Sequence, residues 1–600
     1  MLQNAFQALQ TGNLVQAEQI CRQIVAQHPD DEGALTLLAM SLDAQTRLSE
    51  AATLFERLTV LYPDRTEHWL NLGYLDRSRG NVVAARRSLE QAVALDPSRN
   101  EALRELGLLE YDAGLNQGAA VHLSAALALQ PDDPALRAQT ARACQRAGQA
   151  EDTARLLQGW EQWTQGNPDA LADVAWVIME TGDMQATDRV LDLAERSAPS
   201  NTRVLAKRAA FFERTNRLDE ARALLARIPQ RNDEIREELD ILRAQIANRS
   251  GSTDEAYAIY ETLVRDERVV LRRPELFFAL AQISDKRQDA AQAMLWLQQG
   301  HAVQMQQLRA SAPSADELDT MLMPSIQISA DDYATWQSGA TPGAEESPIF
   351  VLGFPRSGTT LLETMLDAHP QLSCMDERSF IHDVVQQMRE RGFDYPRDLG
   401  KLDEATCDAL RAHYWKQVRE HSHAEPGKRL VDKNPLNMTR LPLIHRLFPR
   451  AKIILALRDP RDVVLSNYMQ IFRAPAYARM CERLETTAQG YATAFTAWNA
   501  FAGVFQLDLL QTRHEDVVDD VEAFSRRLCA FLGLEWSDAM VAFHEHAAKR
   551  GYIRTPSYHQ VVEPVNRKGV GRWQRYAQWL EPTQAELAPY VRQFGYAEPA

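Results

Sequence analysis

The chain has 600 residues, too many for one hydrophobic core, so several packing units are expected. With 45% apolar and 25% charged residues it is a folded globular protein, not a fibrous or disordered one. The formal charge of −16 argues against nucleic acid as a partner and confines any anion site to a local basic pocket.

Four prolines, Pro29, Pro63, Pro97 and Pro131, recur every 34 residues in "QHPDD", "LYPDR", "LDPSR" and "LQPDD". Twelve residues before each stands an alanine: Ala17, Ala51, Ala85 and Ala119. A small residue at a fixed phase is what two closely approaching helices demand. "WLNLG" adds Trp69, Leu72 and Gly73 at large-apolar and small positions of a first helix. This pattern resembles the tetratricopeptide repeat family, which implies an all-α solenoid of stacked helix pairs. Pro199 stays in phase and Pro168 does not, and helical segments continue to about residue 310. Residues 1–310 are therefore read as the repeat array, with a protein or peptide partner in its groove as the expected function. A polar stretch rich in proline, glycine and serine at 311–347 reads as a linker.

From residue 348 the pattern changes to strand ("IFVLG"), turn ("FPRSG") and helix ("TTLLETMLDAH"). Such a turn presents backbone N–H groups and a helix N-terminus to a phosphate or sulfate. Gly353 and Gly358 allow the turn, Arg356 supplies a cation inside it, and Ser357, Thr359 and Thr360 supply hydroxyls. The lysine of a nucleotide-hydrolase loop, GxxxxGK[ST], is missing. A second strand, Ile453 to Leu457, ends in Arg458, and a helix starting near Pro460 carries Ser466. Two anion sites at strand ends imply a ligand with phosphates at two places.

The loop "PRSGTT" and the run "RDPRDVVLS" resemble the 5′-phosphosulfate and 3′-phosphate sites of sulfotransferases. Within that superfamily, "PRSGTTLLETMLDAHPQLSCMDE" is similar without a gap to the tyrosylprotein sulfotransferases. The resemblance covers roughly 345–595 and implies, for 348–600, an α/β domain with a mainly parallel sheet. It implies 3′-phosphoadenosine-5′-phosphosulfate (PAPS) as donor, no metal, and an acceptor carrying a hydroxyl, protein tyrosine among the candidates. It also implies roles. Glu377, 21 positions after Arg356, becomes the general base, with Asp376 as the neighbour that could be mistaken for it. Lys433 in "RLVDKNPLN" and Arg356 neutralise charge on the leaving phosphate, and Ser557 falls where the family has its catalytic-site serine. Arg567, Lys568 and Arg572 in "NRKGVGRWQRY" are offered to the donor's phosphates, with Trp573 as a packing anchor.

Some residues depart from that pattern. His514 stands where tyrosine is usual, Ser379 where the tyrosylprotein enzymes have arginine, and those membrane-anchored enzymes lack a repeat array. His421 and His423 read as loop residues, not metal ligands. Six scattered cysteines without a CxxC pair read as reduced thiols. No run approaches the roughly 18 apolar residues of a membrane span. A cytoplasmic location, no membrane partner, and compatibility with a homodimer complete the expectation. Two other functions fit the sequence: a P-loop kinase or nucleotide hydrolase without its lysine, and a repeat scaffold with an inactive sulfotransferase-like domain.

Overall fold

The computed structural model describes residues 1–229, 235–308, 328–336, 341–375, 377–422, 424–472, 474–545 and 565–597. The chain divides into two compact units, Met1–Ala312 and Pro313–Ala600.

Among its described residues the first unit holds nine helix pairs, from Leu2–Gln10 with Leu14–Gln27 to Glu275–Lys286 with Ala290–Leu308. The second helices of the first four pairs end at Gln27, Leu61, Leu95 and Leu129, each two residues before its proline. Proline cannot continue a helix, because it lacks the N–H and restricts the residue before it. Pro168 is out of phase because it opens the helix Pro168–Thr181 instead of following one. At that position its missing N–H costs nothing. The four phased alanines are all 0% exposed.

Gly73 and Gly107 explain why small residues are needed. An added Cβ would stand 2.6 Å from Leu89 Cγ and 2.7 Å from Leu123 Cγ, each on the second helix of the same pair. The array also meets itself. The turn at Gly80 packs on Leu271, in the short helix Glu267–Arg272, and Gln307 Nε2 donates to the Leu271 carbonyl at 2.6 Å.

The second unit is built on a five-stranded parallel sheet: β1 (Ile349–Gly353), β2 (Leu372–Cys374), β3 (Arg429–Lys433), β4 (Lys452–Leu457) and β5 (Asp508–Arg513). The strand order is β2-β3-β1-β4-β5. A parallel sheet covered on both faces needs strands that are apolar throughout, and β1 is buried at all five residues. Ile349, Val351, Leu366, Val431, Ile454 and Leu528 share one core. β2 and β3 lie to one side of β1 and β4 and β5 to the other. The connections leaving β1 and β4 therefore part around a crevice at the carboxyl edge, where open α/β sheets hold ligands.

Part of the stretch expected to be a linker is ordered onto this unit. The helix Ala330–Ala334 starts with a Ser329–Asp332 capping box. The Tyr333 hydroxyl lies 2.8 Å from His445 Nε2, and Trp336 packs on Phe505. Among the described residues, no helix is long and apolar enough to cross a membrane.

Candidate active site

The turn after β1 is shaped by close approaches. A Cβ at Gly353 would lie 2.6 Å from the Ala456 carbonyl oxygen, so only glycine lets β1 leave the sheet beside β4. Gly358 has φ +92, and its missing Cβ makes room for His514 Nδ1 at 2.7 Å. Arg356 itself is left-handed, with φ 71. A non-glycine residue held there costs on the order of 1–3 kcal/mol, which the surroundings must over-determine.

They do so through named contacts. Asn467 Nδ2 donates to the Pro355 carbonyl at 2.9 Å, and the Tyr477 hydroxyl donates to Asn467 Oδ1 at 2.7 Å. Arg356 Nε donates to Ser466 Oγ at 3.2 Å, and Arg458 Nη1 donates to the Arg356 carbonyl at 3.3 Å. The two motifs that are 102 residues apart in sequence thus meet at one point. Ser357, Thr359 and Thr360 are buried beside them, at the start of the helix Thr359–Asp367. The first N–H groups of that helix have no intrahelical acceptor, and its dipole end is positive.

The electrostatics favour an anion. Desolvation, and next the Arg458 guanidinium, push Arg356 down to about 10, and Arg572 adds to the repulsion. Burial, with Arg458 again, pushes His514 down to about 3 and keeps it neutral. Arg458 Nε and His514 Nδ1 are buried without a hydrogen-bond partner among the described residues. A cationic set with an orphaned guanidinium N–H and a helix N-terminus suits a ligand bearing phosphate or phosphosulfate groups.

A second cluster closes the crevice at the end of β3. Lys433 is 0% exposed, and its Nζ lies 2.6 Å from Glu377 Oε1 and 3.0 Å from Glu363 Oε2. Glu377 is within electrostatic reach of Arg356. The acid, the lysine and the loop arginine expected from the sequence are therefore brought together, as are Arg458 and Ser466.

The basic run at 567–572 divides. Arg572 faces the site through its effect on Arg356, whereas Arg567 pairs with Asp519 at 2.5 Å and Lys568 is exposed. Trp573 is an anchor: Arg461 stacks on it at 3.7 Å, and Asp462 Oδ1 accepts from its backbone N–H at 2.7 Å. Asp462 Oδ2 also accepts from the Gly571 N–H, and Arg458 donates to the Gly569 carbonyl, so this segment is tied to the second anion motif. Ser557, Asp376 and His423 lie outside the described residues. Among the described residues, no group of three His, Cys, Asp or Glu side chains is arranged to hold a metal ion.

Sequence reasoning missed Glu363, Asp462, Asn467 and Tyr477. Two of these carry a readable signal: Asp462 and Asn467 flank Ser466 on the helix Pro460–Tyr468. Glu363 carries none, since its carboxylate meets a lysine 70 residues away.

A sequence model described as sulfotransferase family matches residues 348–538. Tetratricopeptide repeat models match 8–72 and 77–134. Protein-tyrosine sulfotransferase 2 of Gallus gallus is 30% identical over 271 residues, covering 42% of this chain and 70% of its own. An uncharacterised protein of Aquifex aeolicus is 25% identical over 421 residues, covering 68% of this chain, and the chain spans 53% of that relative's length. Among solved structures, the sulfotransferase domain of the Synechococcus PCC 7002 olefin synthase is 23% identical with a TM-score of 0.32, covering 44% of this chain and 99% of that domain.

Proposed function

This chain belongs to the sulfotransferase family, and on that premise we propose that it transfers a sulfuryl group from PAPS to an acceptor hydroxyl, protein tyrosine included. The observation that carries this reading is the meeting of Arg356, Ser466 and Arg458 at a helix N-terminus beside the Lys433–Glu377 pair.

In this reading Arg356, Ser357, Gly358, Thr359 and Thr360 hold the 5′ end of the donor, and Arg458 and Ser466 hold its 3′-phosphate. Arg572 reinforces the cationic field, and Arg567 and Lys568 stand at its outer margin. The bound donor supplies an activated sulfuryl group, whose S–O bond to phosphate breaks as a new S–O bond forms to the acceptor oxygen. Glu377 takes the acceptor's proton. A phenol titrates near 10, so a placed base contributes a factor on the order of 10²–10⁴. Lys433 and Arg356 meet the charge that develops on the leaving oxygen, which is fixed electrostatic stabilisation and needs no metal ion.

The domains are proposed as a repeat array over 1–310, a connecting stretch over 311–347 and the transferase over 348–600. Tetratricopeptide repeats generally mediate protein interactions, so the array is assigned recruitment of a protein acceptor or partner. All six cysteines are buried and free, in keeping with a reducing compartment such as the cytoplasm.

The test is transfer of radiolabelled sulfuryl from PAPS to a panel of tyrosine peptides and small phenols. Label that appears on an acceptor and vanishes with Glu377→Gln supports the reading. Absence of transfer to every acceptor, with ATP hydrolysed instead, would overturn it.

A further inference from the structure

Lys433 is one ammonium between two carboxylates whose surroundings differ. The Glu363 side chain is 4% exposed and the Glu377 side chain 44%. A buried carboxylate has no water to replace a lost partner, whereas a half-exposed one does. Glu363 sits one helical turn after Thr359, so both side chains lie on the same face of the helix that opens at the anion loop. A base bound tightly to a lysine is a poor base. A chain that needs both Lys433 and Glu377 therefore gains from a separate counter-charge for the lysine.

We propose that Glu363 is a positioning residue that anchors Lys433 at the buried end of the site, leaving Glu377 as the exchangeable arm that separates from the lysine when donor binds. This rests on the roles given to Lys433 and Glu377 in the proposed function. Lys433 can then turn toward a phosphate oxygen without leaving Glu363, and Glu377 is released to accept the acceptor's proton.

The charged groups around Lys433 agree with this division of labour. Glu363 comes from the helix after β1 and Glu377 from the segment after β2. Glu377 in turn supports the charge on Arg356, in the loop. Asp432, the preceding residue of β3, is turned to the Tyr414 hydroxyl at 2.8 Å. Burial alone would lower the lysine's pKa, but Glu363 first and Glu377 second hold it above its ordinary value.

The test is calorimetric titration with adenosine 3′,5′-bisphosphate across alkaline pH, on the full chain, with thermal unfolding as a check on folding. Affinity falls as Lys433 loses its proton. Glu377 also supports the charge on Arg356, so the Glu377→Gln shift is read after subtracting the shift that the same substitution produces in a Lys433→Met background, where Arg356 titrates without the lysine. Glu363→Gln is expected to move this loss to lower pH by about one unit, and Glu363→Asp to restore it. Glu377→Gln is expected to move it by less than half as much. An unmoved profile in Glu363→Gln, or an equal shift in Glu377→Gln, overturns the inference. If Glu363→Gln does not fold, the Glu377→Gln titration decides alone: a small shift supports the anchor and a full unit contradicts it. Failure of the unaltered chain to bind at any pH overturns the functional reading, and this inference with it.

Discussion

The two units use arginine in opposite ways. In the repeat unit Arg47 meets Glu18 and Glu50, Arg77 meets Glu105 and Asp112, and Arg249 meets Glu213. In each of these sets at least one carboxylate belongs to the neighbouring helix pair. Glu50 and Glu18 hold Arg47 above the ordinary guanidinium value. In the transferase unit Arg356 is pushed down, by desolvation first and by Arg458 next. The same side chain is neutralised where it sets the register of repeats and left in excess positive charge where an anion is to be held. An exposed pair such as Arg47–Glu50 contributes little to stability, whereas Arg249–Glu213 is largely buried between neighbouring pairs. The clustered arginines are a liability in an empty site and an asset in an occupied one.

That contrast can be broken at several strengths. Glu377→Gln should lower turnover by a factor on the order of 10²–10⁴ while leaving thermal unfolding unchanged, measured by steady-state transfer and calorimetry. Gly73→Leu forces a side chain into Leu89 and should destabilise the repeat unit by about 1–3 kcal/mol. Binding of adenosine 3′,5′-bisphosphate to that variant should be unaffected. A loss of binding would show that the two units do not act independently.

The third effect depends on pH. His514 is neutral in the fold, pushed down to about 3, and the unfolded chain protonates it below about 6.5. The unfolded state therefore binds the extra proton in that window, and stability falls as pH drops from 6.5 toward 3. His445, pushed down to about 4 by burial, acts in the same direction. Replacing His514 with Gln should recover on the order of 1–2 kcal/mol near pH 5 and little at pH 8, read by denaturant unfolding. The smallest effect belongs to Arg77→Ala, which should cost under about 1 kcal/mol and shrink further in high salt.

Much of this was legible in the sequence because it repeats or because it is local. The 34-residue period made the stacked helix pairs legible, and the structure ends each second helix two residues before its proline because proline acts on its own neighbours. The anion loop was legible as strand, glycine turn and helix, and Arg458 and Ser466 as a second such unit. What was hidden depends on contacts between distant residues without a pattern. The packing of Gly80 on Leu271, the strand order around β1, and the burial of Glu363 against Lys433 have no local signature. The docking of Tyr333 and Trp336 escaped for another reason: the surrounding proline, glycine and serine outweighed two aromatic residues in a short polar stretch.

The most direct measurement is a calorimetric titration of the full chain with adenosine 3′,5′-bisphosphate, with and without Mg²⁺, beside Arg356→Ala and Arg458→Ala. Binding that ignores Mg²⁺ and is lost in both variants is the predicted result. No binding, or binding of ATP that requires Mg²⁺, would contradict the assignment of the two motifs to one donor.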